Sequence, residues 1–121
     1  MESILTSIKK MLGIAEEYTQ FDEDIIIYIN SVFTTLMQLG VGPSTGFYIE
    51  NDTAEWTDFV PDLTKIQAVK TYVYLKVKLL FDPASIGSST LVSYERQIQE
   101  LEWRLNVIAE SNTLNQEIES M

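Results

Sequence analysis

The stretch Pro61–Pro83 (PDLTKIQAVKTYVYLKVKLLFDP) constrains this chain more than any other. Val73, Leu75, Val77 and Leu79 alternate with Tyr72, Tyr74, Lys76 and Lys78, as they would in a strand. Length argues against that reading. Asp62 to Phe81 is 20 residues without Gly or Pro, whereas strands usually stop within about 4–8. Asp62 offers an N-cap and Pro83 marks the stop, so the spacing predicts a helix.

At about 100° per residue, this helix is apolar on two sides. One stripe holds Ile66, Val69, Val73, Val77 and Leu80, with Leu63 and Phe81 at its margin. Nearly opposite runs Ala68, Tyr72, Leu75 and Leu79. A surface helix needs one stripe. Two stripes place the helix at the centre of a bundle, or bury its second side against a neighbouring subunit. In a chain of 121 residues the second option is open, and it makes Tyr72, Leu75 and Leu79 candidates for an oligomer interface.

The length fits one domain with a single core. No apolar run approaches the roughly 18–20 residues that span a bilayer, and Glu2 without a basic and then apolar block argues against a signal peptide. The absence of Cys excludes disulfides and fits a reducing compartment. The net charge is −10, unevenly spread: residues 1–60 hold 10 acidic and 2 basic residues, residues 61–121 hold 8 and 6. Such a chain is ill suited to gripping a nucleic-acid backbone. It suits a channel that DNA must traverse without sticking, a mimic of DNA, or simply a well-solvated surface.

Elsewhere the pattern is helical. Ser3–Leu12 gathers Ile4, Leu5, Ile8, Met11 and Leu12 on one side, with Gly13 placed for a left-handed cap. A polar connector leads to Asp22, the expected N-cap of a helix carrying Ile25, Ile29, Val32, Leu36 and Leu39 and ending at Gly40. Glu23 and Asp24 suit its first turn. Gly40–Pro61 is turn-rich: Phe47, Tyr48 and Ile49 fit a short strand or extended arm, and 53–59 fits one or two helical turns. Aromatics in such an insertion usually cap the core, but Phe47, Tyr48 and Trp56 are also candidates for docking a partner. The last helix is expected over Thr90–Glu110, with Leu91, Tyr94, Ile98, Leu101, Leu105 and Ile108 in heptad spacing. Arg96, Glu100 and Arg104 are spaced for an i,i+4 ladder. Trp103 and Val107 lie opposite the core stripe and form a second candidate interface patch. Residues 111–121 lose the pattern and read as a flexible tail to a domain at 1–110. The expected fold is all-α: four helices with a loop or short β-arm insertion between the second and third.

Site chemistry is sparse. Without His or Cys, the usual transition-metal ligands and the common general base are missing. Asp22, Glu23 and Asp24 are followed by isoleucines, not by the alternating oxygens and glycine of a calcium loop. Gly40-Val41-Gly42 lacks the strand and the Lys-Ser/Thr of a phosphate loop. No catalytic, metal or cofactor-binding residues and no cofactor are expected, and the chain does not read as an enzyme.

Four pieces in order, SILTSIKKMLGI, FDEDIIIYINSVFTTLMQLGVGP, VKTYVYLKVKLLFDP and ELEWRLNV, span about residues 3–108. Together they resemble the small head–tail connector proteins of tailed bacteriophages, also described as DNA-packaging or head-completion proteins. The Gln38-Leu39-Gly40 turn is similar to one in that group. The resemblance implies a structural virion protein at the head–tail junction, made in the host cytoplasm. It implies a homo-oligomeric ring, dodecameric in the virion, beneath the portal protein. Such a ring extends the DNA channel and docks the next connector or tail-completion protein, with DNA passing through the lumen unbound and no membrane involved. The rival is an acidic phage DNA-mimic or host-factor inhibitor, which needs carboxylates spaced like phosphates on one face.

Overall fold

In the computed structural model, which describes the backbone of residues 2–120 and the side chains of 2–107 and 109, five α-helices follow one another. They are α1 (Ile4–Met11), α2 (Asp22–Gln38), α3 (Trp56–Phe59), α4 (Leu63–Phe81) and α5 (Ser88–Ser120). A single 3₁₀ turn, Pro83–Ser85, links the last two. The protein is all-α, and no strand occurs among the described residues; an isolated bridge joins Ser3 to Glu55. The insertion after α2 is therefore a loop, not a β-arm, and it carries the short α3.

Local signals set the helix ends. Asp62 caps α4 by accepting from the Thr64 amide at 2.9 Å, and the pre-proline residue Asp82 leaves helical geometry. Ser3 caps α1 by accepting from the Thr6 amide. Gly13, at φ 81°, takes the left-handed turn that ends α1, with the Ile14 amide donating to the Lys9 carbonyl. At α2 the expected cap is corrected. Asp22 is the first helical residue, and its side chain caps no amide. Its carboxylate turns to Lys9 Nζ at 2.9 Å, and the same ammonium donates to the Glu16 carbonyl at 2.9 Å. Lys9 is buried, 2% exposed; a charge that deep has to be paired.

The two stripes of α4 are both used inside one chain. α2 packs against α4 on one side and α5 on another, so α4 is the middle of the bundle. Ile66, Val69, Val73 and Val77 of the first stripe are buried, and so are Tyr72 and Leu75 of the second. Tyr72 donates its hydroxyl to Glu102 Oε2 of α5 at 2.7 Å, which ties that side of α4 to α5. Ile98, Leu101 and Leu105 supply the inward face of α5. The helix starts two residues before the expected Thr90, and its backbone stays helical through Ser120, past the loss of apolar spacing. Ile108 lies outside the described side chains.

The insertion folds back onto the core through aromatic rings. Phe33 of α2 stacks on Phe59 with centroids 4.3 Å apart and meets Phe47 edge-on at 5.3 Å. The Asn30 side chain replaces a strand partner for Ile49, accepting from its amide at 2.8 Å and donating to its carbonyl at 2.9 Å. α3 is held by a reciprocal cap between Glu55 and Asp58.

Candidate assembly surfaces

The burial pattern sorts the candidate contact residues into two groups. Tyr72 and Leu75 are 0% and 3% exposed, and Leu79 is half-buried against the core. In this fold both side chains are buried within one chain, Tyr72 bonded to Glu102 of α5. Trp56 is likewise inside, 1% exposed, and its indole N–H donates to Ser7 Oγ at 2.8 Å. Phe47 is half-buried in the aromatic cluster. These residues cap the core, the ordinary role of aromatics in such a loop.

Trp103, Val107 and Tyr48 are outside. Trp103 is 70% exposed and lies near the centre of the outer face of α5, about 180° from Leu101 and Leu105 at 100° per residue. Val92 and Val107 lie on the same face and are also exposed. Arg96 lies within that face, about 20° from Trp103 and two turns before it, and Arg104 lies at its border. The expected ladder through Glu100 does not close: neither arginine makes an ion pair among the described residues, whereas Lys9, Lys65 and Lys70 hold Asp22, Asp62 and Glu2. An exposed tryptophan with guanidinium groups on the same face has the composition of a protein-binding face.

α2 presents a second surface that the periodicity of Ile25 and Ile29 concealed. Ile27 is 63% exposed at the centre of its outer face, with Glu23 and Asp24 exposed beside it. The signal was present in the sequence: three consecutive isoleucines cannot all face one core, since a helix turns about 100° at each step.

Between the 40–44 loop, the α3–α4 junction and α5 lies an open cleft of about 730 Å³. Its walls mix Val41, Phe59 and Leu105 with Asp58, Asp62 and Lys65. Asp62 and Lys65 are paired with each other at 3.9 Å, and Asp58 serves the α3 cap. Among the described residues no group of three or more acidic side chains is arranged to hold a metal ion, and no helix is long and apolar enough to cross a membrane.

Several carboxylates have local work. Asp22 holds Lys9, Glu2 holds Lys70, Glu102 accepts from Tyr72, and Asp62 caps α4. The Lys70 ammonium, by hydrogen bond and charge, lowers the Glu2 pKa, and the Thr64 hydrogen bonds lower that of Asp62. These carboxylates serve caps and contacts within the fold.

Comparison with known proteins adds one match. A family model described as phage connector protein covers residues 4–112, nearly the whole chain. No curated protein and no solved structure matches.

Proposed function

The chain belongs to the phage connector protein family, a structural component of the virion, and from that premise we propose that it is a ring subunit at the head–tail junction. In this reading copies assemble head to tail beneath the portal, extend the DNA channel, and present a docking face to the next connector or tail-completion protein. Assembly takes place in the host cytoplasm.

One observation carries the self-association: Trp103, 70% exposed on the outer face of α5 with exposed Val92 and Val107 on the same side, is covered by none of the described residues. Tryptophan is enriched at the centres of protein interfaces, so an exposed one on a small domain supports a contact role. The net charge of −10 supports the channel. Carboxylates facing the lumen would repel the phosphate backbone, so that DNA slides rather than binds. Tyr48, exposed in the insertion, and the C-terminal segment from Ser111 are the proposed contacts to the portal or the next ring.

The test is a Trp103→Ala, Val107→Ser variant. Both residues lie off the core, so folding stability should stay within about 0.5 kcal/mol of the parent in urea titration. Incorporation into DNA-filled, portal-bearing heads, followed by electron microscopy, should fall sharply. Full incorporation of the variant would remove this face from the contact between copies.

A further inference from the structure

The outer faces of α5 and α2 are two different surfaces that no described residue covers, and α4 lies between their helices. Inward residues of α2 (Ile25, Ile29, Leu36) and of α5 (Ile98, Leu101, Leu105) all turn toward the bundle interior. Their outward faces therefore look away from each other, one on each flank of the subunit. Each has one large apolar residue near its centre, Trp103 on α5 and Ile27 on α2. The charges differ in sign: Arg96 and Arg104 on α5, with no ion pair among the described residues, and exposed Glu23 and Asp24 on α2.

We propose that the outer face of α5 seats on the outer face of α2 in the next copy of this chain, antiparallel, with Trp103 over Ile27 and Arg104 against Asp24. The proposal rests on the self-association described above and specifies its two halves. A contact between unlike surfaces repeats from copy to copy, and it closes into a ring when the rotation per copy allows.

The charges choose the direction. With Trp103 set over Ile27, Arg104 is one residue along α5 and Asp24 three residues back along α2. At about 1.5 Å per residue, antiparallel helices leave these two about 3 Å apart along the axis and on the same border. Glu100 then meets the hydroxyl of Ser31, and Arg96 lies beside Thr34. In the parallel direction Glu100 falls within about 1.5 Å of the level of Glu23 on the same side, which sets like charges together. The antiparallel direction takes Glu100 away from Glu23 and sets Arg104 nearest to Asp24, the closest opposite-charge pair in either direction.

The absence of native cysteine permits a direct test. The Ser31→Cys, Glu100→Cys double variant is added to portal-bearing heads and oxidised, and the products are separated without reductant. A ladder of dimers, trimers and larger species is expected from the double variant, and no cross-link from either single variant. Dimers from Glu100→Cys alone would show a symmetric α5–α5 contact and overturn the pairing. So would particles that contain the double variant but yield no ladder, with the ring reading left standing. Failure of the unmodified chain to join heads or itself would instead sink the ring reading and the pairing with it. As a second arm, Asp24→Arg and Arg104→Glu should each weaken incorporation about tenfold, and their combination should restore it. Equal incorporation by all three would overturn the Arg104–Asp24 contact.

Discussion

Gly42 shows how tightly one residue can be held by another far along the chain. Its φ of 99° is in the region that L side chains avoid, and a Cβ there would collide with the Phe59 ring. Gly42→Ala should therefore cost about 2–4 kcal/mol from backbone strain and overpacking together, read as a lower urea midpoint with unchanged slope. A change below about 0.5 kcal/mol would mean that the loop and the Phe59 ring move apart freely. Tyr72 offers a pH-dependent case. Burial first, and then the hydrogen bond and charge of Glu102, hold its phenol pKa far above the ordinary value. The unfolded chain gives up that proton near pH ~10, while the folded chain keeps it. Stability is thus undiminished up to about pH 10 and falls above it, as only the unfolded state deprotonates. Tyr72→Phe should lose about 1–2 kcal/mol at neutral pH with the hydrogen bond, yet show a shallower alkaline decline. Identical declines in the two proteins would assign the effect elsewhere, and Tyr74, raised by burial and by Tyr94, is the next group to consider.

At the scale of the helices, α4 is the element on which the others depend, and the consequence is measurable. Leu75 is 3% exposed on the stripe turned to α5. Leu75→Ser removes a buried side chain and inserts a hydroxyl, which should destabilise the monomer by about 2–4 kcal/mol. The α5 outer-face variant described above should leave monomer stability alone. A Leu75→Ser protein that folds as well as the parent but no longer assembles would reverse that assignment. Most helix positions were readable from breakers, caps and apolar spacing: Asp62 and Pro83 around α4, Gly13 after α1, Gly40 after α2. The end of α5 was not. The apolar heptad stops near Ile108, but nothing there breaks a helix, since 109–120 holds no Gly or Pro, and the backbone continues to Ser120. The Arg96–Glu100–Arg104 spacing likewise allowed an ion-pair ladder without requiring one; exposed pairs gain little, and water competes for both charges.

For the molecule as a whole, the acidity is the property that bears most on a DNA channel. With a net charge of −10, the isolated chain should not retain duplex DNA in filter binding at about 0.15 M salt, nor at lower salt, where cationic grips strengthen. Retention that grows as salt falls would place an unexpected basic surface on the protein and remove the repulsive lumen from the reading. Periodicity and breakers alone determined that the chain is helical, that α4 carries more apolar surface than a surface helix needs, and that Trp103 and Val107 lie opposite the α5 core stripe. These follow from the turn of a helix and from local sterics. Only the tertiary structure decided what covers the second α4 stripe, that Trp56 points inward to Ser7, and that Lys9 is buried against Asp22. Such choices depend on which distant surfaces meet, and residue spacing within one segment carries no record of its partner.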